Sequence, residues 1–138
     1  MRFGAAATLN IPRILAFAII LLVLRVAVSF MAAGFEAGEE VDAQLILQYL
    51  VGYILDATVV IAVFARLARV QVQSPYVHAF FVVVLQELLG VALLLAIGET
   101  NPQSPLWLID WVVLVVSVML GTEFGRRLRV AAEKKQQA

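Results

Sequence analysis

The chain contains no cysteine. Disulfides, thiolate metal sites and cysteine nucleophiles therefore lie outside its chemistry. Histidine is nearly as scarce. His78 is the only one, and a single imidazole without a nearby carboxylate triplet makes a poor metal site. No metal and no cofactor is expected. Charge is thin as well: 14% of the 138 residues are charged, against about 25% in a soluble domain. The ten acids and ten bases cancel formally, so the basic surplus that nucleic acid would demand is missing. GxGxxG and P-loop phosphate motifs, HExxH, GxSxG and CxxC are all absent. A Ser–His–Asp set cannot be assembled around His78 either, because that residue opens an apolar run and reads as interfacial.

What the chain has in abundance is apolar surface. Hydrophobic residues make up 63% of it, more than one small core can hide, so the lipid bilayer is the expected partner for the remainder. Four apolar runs stand out, roughly Ile14 to Ala33, Ala43 to Ala65, Tyr76 to Ile97 and Leu106 to Gly125. Each reaches the ~20 residues that a spanning helix needs. Valine and isoleucine are plentiful, but an open strand in lipid would leave its backbone polar groups unsatisfied. The expectation is an all-α four-helix transmembrane bundle, a single integral membrane domain over 1–138. Its helices should cover roughly 12–33, 43–66, 75–97 and 105–128, sequence neighbours packing antiparallel, with a tail over 129–138 that frays from Val130. A cleavable signal peptide is a rival reading of the first run, given its basic start and small residues at Ala32 and Ala33. The apolar stretch continues past Arg25 to full spanning length, which favours a retained helix.

The connections set an orientation. The segment from Gly34 to Asp42 carries Glu36, Glu39, Glu40 and Asp42 and no base, and the segment from Gly98 to Pro105 carries only Glu99. Arg66 and Arg69 lie between the second and third runs, Arg2 and Arg13 at the head, and Arg126, Arg127, Arg129, Lys134 and Lys135 in the tail. Every loop base thus falls on one side of a four-pass topology. By the positive-inside rule that side is the cytoplasm, giving a multi-pass protein of the inner (cytoplasmic) membrane with N- and C-termini both inside. Trp107 and Trp111 suit the outer boundary and Tyr76 the inner one. Phe64-Ala-Arg66-Leu-Ala-Arg69-Val70 also resembles Phe124-Gly-Arg126-Arg-Leu-Arg129-Val130, but the match stops short of the helix centres, so duplication stays open.

Three ionisable residues sit deep in these runs. At a ~1.5 Å rise per residue, Arg25 lies roughly 16 Å from the cytoplasmic side, Glu87 roughly 15–16 Å from the same side and Asp56 roughly 18–20 Å from the other. In a core ~30 Å thick all three fall near the midplane. Each charge there costs roughly 2.5–3.5 kcal/mol on the insertion scale and needs a reason. An internal cluster supplies one, because a guanidinium fork suits bidentate pairing with carboxylates. Two acids against one base leave surplus negative charge in a low dielectric, which a retained proton would relieve. Asp110, a turn inside the outer boundary, reads as an interfacial acid or as an entry group for the cluster. Glu123 reads as an ion-pair partner for Arg126 and Arg127.

Helical spacing groups further residues with these. Gln48, Gly52 and Asp56 form one stripe flanked by Tyr49 and Tyr53, Arg25 shares a face with Ser29, and Glu87 lies by Gly90 with Gln86 beside it. Ser117, Gly121 and Gly125 form a small-residue ladder of the kind that packs helix pairs, whether in one chain or between copies. Three functions follow as expectations. The first is a small proton- or ion-coupled carrier or conducting protein using Arg25, Asp56 and Glu87, with Asp110 as a further candidate and Ser29, Gln48, Tyr53 and Gln86 in support. The second is a non-catalytic membrane subunit or assembly factor in which the cluster only fixes packing. The third, and the only enzymatic one, is a lipid-directed acid/base pair formed by Asp56 and Glu87. A single layer of four helices encloses little interior, so a homo-oligomer or another membrane-protein partner is expected.

Overall fold

Each helix begins and ends where the local chemistry allows. Asn10 starts the first: its Oδ1 accepts the Arg13 N–H at 3.2 Å and its carbonyl accepts the Ile14 N–H at 3.0 Å, with Pro12 in the first turn, where no amide is required. Pro75 opens the third helix for the same reason. Ser74 before it adopts φ 48, a left-handed residue that reverses the chain. Gly98, at φ 87, closes the third helix while its N–H donates to Leu95 O.

The computed structural model describes residues 9–33, 41–71, 73–98 and 106–136. They form α1 (Ile11–Ala33), α2 (Val41–Val70), α3 (Pro75–Ala96) and α4 (Trp107–Gln136), with no strand among the described residues. All four are long and apolar enough to cross a membrane. Two boundaries differ from the sequence expectation by a turn or more. α2 continues a turn past residue 66, so Arg66 and Arg69 project from a helix and not from a loop. α4 continues to Gln136 where a fraying tail over 129–138 was expected. Ala131 to Gln136 are good helix formers, Arg129 and Glu133 sit 3.7 Å apart one turn from each other, and Lys134 and Lys135 suit the negative end of the helix dipole.

The helices run up, down, up, down, but sequence neighbours are not the closest pairs. α2 and α4, which run parallel, pack most intimately, while α1 rests against both α2 and α3. α3 touches α2 and α4 only lightly. α1 and α2 pack as the expected antiparallel neighbours, while α2–α3 and α3–α4 touch only lightly; the small residues of α4 bring that helix onto α2. A Cβ on Gly121 would stand 2.6 Å from Ile61 O, and one on Gly125 would overlap Ala65 O, so only glycine lets the two backbones meet. The ladder therefore packs a helix of the same chain. Both facing pairs are 60 positions apart, the offset that also aligns the Phe64 and Phe124 segments. α3 breaks this likeness between the two hairpins, being held off α4 where α1 lies close on α2.

Buried side chains gather in one half of the bundle. The core comprises Ile14, Ala18, Leu21, Val60, Val63, Phe64, Leu67, Ala79, Val82 and Leu114. All but Leu114 lie between mid-span and the end where α1 begins and α4 finishes, here called the termini end; the other is the far end.

Candidate functional site: a charged triad at mid-span

The inward stripe of α1 runs Ile14, Ala18, Leu21, Arg25, Val28, at steps of three and four that keep one face. Its first three members are buried apolar residues, so the helix that docks them must also carry Arg25 inward. α2 does likewise with Leu67, Phe64, Val60 and then Asp56, and α3 with Ala79, Val82 and then Gln86. The same packing that builds the core delivers charge at its upper edge.

There the side chains converge. Arg25 Nε donates to Asp56 Oδ1 at 2.9 Å, and its Nη1 donates to Glu87 Oε1 at 3.0 Å and to Gln86 Oε1 at 3.1 Å. One guanidinium thus binds two helices to a third, with two ion pairs. Gln86 is buried, at 4% exposed, while the side chains of Arg25, Asp56 and Glu87 retain 24%, 20% and 36%. Glu87 is the most accessible member. The formal sum is one positive and two negative charges, and pairing reduces the cost of each at this depth.

A second polar pair lies toward the far end. Tyr53, three residues before Asp56, donates its hydroxyl to Asp110 Oδ1 at 2.5 Å, joining α2 to α4. Asp110 is half-buried and held by the bundle, which the interfacial reading did not require. Gln48 and Gly52 are half-buried on the same stretch of α2. Ser29 does not join the triad: it is exposed, and its hydroxyl donates to the Arg25 carbonyl of its own helix at 3.0 Å. Gly90 is half-buried, and a Cβ there would meet Leu22 Cδ1 at 3.8 Å and Gln86 Nε2 at 3.9 Å. That is ordinary contact, unlike the two glycines of α4.

His78 lies in the first turn of α3, at the helix end where an interfacial residue was expected, and it is fully buried there between helices. Its Nε2 accepts the Asn10 N–H at 3.2 Å, and Nδ1 lies 3.2 Å from Ser74 O. With the proton on Nδ1, one ring satisfies both groups and fastens α3 to the start of α1. Around it lies a polar collar that the sequence reading did not assemble. Arg13 Nη1 donates to Gln71 Oε1 at 2.7 Å and to Val70 O at 3.4 Å, and Arg129 Nη1 donates to Ala68 O and Gln71 O, both at 3.2 Å. Two arginines from different helices thereby cap the carbonyl end of α2, where the dipole favours cations. Asn10 before Ile11-Pro12 carries a capping signal that the sequence reading missed; no sequence signal marks the partners of Arg13 and Arg129, which lie 57 to 61 positions away. Glu123 pairs with Arg126 at 2.9 Å and Arg127 at 2.8 Å as spacing predicts, and also accepts from Tyr76 at 3.1 Å. Among the described residues no group of three His, Asp or Glu side chains could hold a metal ion.

These features define a small polytopic membrane protein of four helices, tied at mid-span by partly buried salt bridges. Comparison with protein families, with curated proteins and with solved structures finds no match to the chain.

Proposed function

We propose that the protein is a small proton- or ion-coupled carrier or conducting protein whose working element is the triad of Arg25, Asp56 and Glu87. The observation that carries this reading is the sharing of one guanidinium by two carboxylates. One guanidinium balances the charge of one carboxylate, which leaves the triad one formal negative charge that a passing cation can compensate. A shift of a few ångströms in α3, the most loosely packed helix, would alter which acid Arg25 serves. Such a coupling of charge to helix position is what a carrier needs. Asp110 and Tyr53 act as an entry pair in this scheme. The cytoplasmic side is assigned to the arginine-rich termini end by the positive-inside rule, the membrane is the inner one, and the single layer of helices associates with a further copy.

The test is proton flux in liposomes containing a trapped pH indicator, driven by an imposed potential. Glu87→Gln and Asp56→Asn preserve shape and hydrogen bonding while removing charge. Loss of flux in either, with an unchanged elution profile in detergent, supports the carrier. Unchanged flux in both refutes it.

A second reading has its own observation. Gln86 joins Glu87 in holding Arg25, so the triad fastens α3, otherwise lightly packed on α2 and α4, to α1. A non-catalytic subunit or assembly factor needs no more than that. On this reading replacing all three charges by apolar residues leaves the protein's assembly intact, whereas a carrier loses its flux.

A further inference from the structure

We infer that water and protons reach the triad from the far end of the bundle only, and that the termini half is a closed seal. This rests on the carrier reading for its purpose but on packing alone for its geometry. Below the triad the inward stripes are sealed: Ala18, Leu21, Val60, Phe64 and Val82 are all wholly buried. Beneath them lies the polar collar, with His78 fully buried against Asn10 and with Arg13 and Arg129 tied to the end of α2; the open cleft between Arg13 and Gln71 is lined by none of the stripe residues above it. Above the triad the packing changes. Among the residues whose side chains are described there, only Val28 and Leu114 are buried, and no residue of α2 from 46 to 59 or of α3 from 87 to 96 is. The inward positions on this side are half-exposed and polar or small: Tyr53, Asp110 and Gly90.

The triad itself keeps access, its Arg25, Asp56 and Glu87 side chains being 24%, 20% and 36% exposed. The charges agree with the packing. The segments joining α1 to α2 and α3 to α4 carry Glu36, Glu39, Glu40, Asp42 and Glu99 and no base, whereas bases crowd the termini end. Acidic charge at one end of the bundle attracts cations and repels anions. Protons and small cations are therefore the species this entrance admits, with the Tyr53–Asp110 pair on the way to Asp56 and Glu87.

The absence of cysteine makes the test direct. Gly90→Cys and Leu94→Cys place single thiols one and two turns above Glu87, and the space around Gly90 accepts a side chain. Val82→Cys places one in the seal, and Gln136→Cys marks the side on which the termini lie. Each protein, in sealed vesicles, is exposed to a charged, membrane-impermeant thiol reagent from one side and then the other. Expected is labelling of Gly90→Cys or Leu94→Cys from the side opposite Gln136→Cys, with none of Val82→Cys from either side. Labelling of the upper thiols from the Gln136 side, no labelling of either, or labelling of Val82→Cys overturns the inference. The outcome is independent of flux: a carrier entered from the termini end would keep its dependence on Glu87 while failing here, and a silent structural protein could pass here while failing the flux assay.

Discussion

At the scale of single residues, Arg25 is the side chain with most at stake. Removing it leaves Asp56 and Glu87 facing each other without a cation, and stranding partly buried charge costs about 3–5 kcal/mol. Arg25→Met is therefore expected to lower thermal stability sharply in detergent. The triple change Arg25→Met, Asp56→Leu, Glu87→Met should recover most of the loss, because apolar replacement of a whole buried ion cluster is often neutral. If the single variant melts with the natural protein, the triad contributes nothing to the fold. Thr122 offers the opposite case. It is buried, and its hydroxyl has no hydrogen-bond partner. Thr122→Val keeps the shape and removes the unpaired group, so stability should rise by about 1 kcal/mol; a fall would mean that the hydroxyl is satisfied in the membrane.

Among helices, the association of α2 with α4 depends on the absence of two side chains. Gly125→Ala would drive a methyl into the Ala65 backbone and Gly121→Ala one against Ile61. Backbone cannot yield as a flexible side chain can, so each should destabilise by about 1–3 kcal/mol or more. Gly90→Ala meets only ordinary contacts and should change little. The three melting curves, measured side by side, check a contrast that composition cannot supply, since all three glycines lie in apolar helices. The spacing of Ser117, Gly121 and Gly125 announced a close contact in advance, but a ladder looks the same whether its partner belongs to the same chain or to another. Arg129 likewise depends on the α2–α4 contact. Spacing reads it as a basic residue in the tail, and only the return of α4 beside α2 gives it two carbonyls to cap. Arg129→Gln should fray the last turn of α2, visible as faster amide exchange at Leu67 to Gln71.

For the whole molecule, the decisive feature is that the two down-going helices are neighbours within one chain. Tyr53→Cys with Asp110→Cys, treated with a short bifunctional maleimide, should cross-link without forming dimers on a denaturing gel. A dimer band as the principal product would mean that α4 packs on the α2 of another copy. The uneven packing also sets an expectation for dynamics. Few buried contacts hold the far half, and amide exchange there should be faster than in the termini half at equal depth in a nanodisc.

Length and apolarity by themselves determined that the chain would be four membrane-crossing helices, because backbone in hydrocarbon has almost no other way to satisfy its hydrogen bonds. Charge at mid-span fixed just as firmly that Arg25, Asp56 and Glu87 would need partners, since desolvation depends on depth and depth can be counted in residues. Which helices touch, that His78 is buried, and that one half is sealed while the other is loose were decided only in three dimensions. Those outcomes depend on the fit of one helix surface to another, where a missing methyl on Gly121 or Gly125 outweighs the order of the helices along the chain.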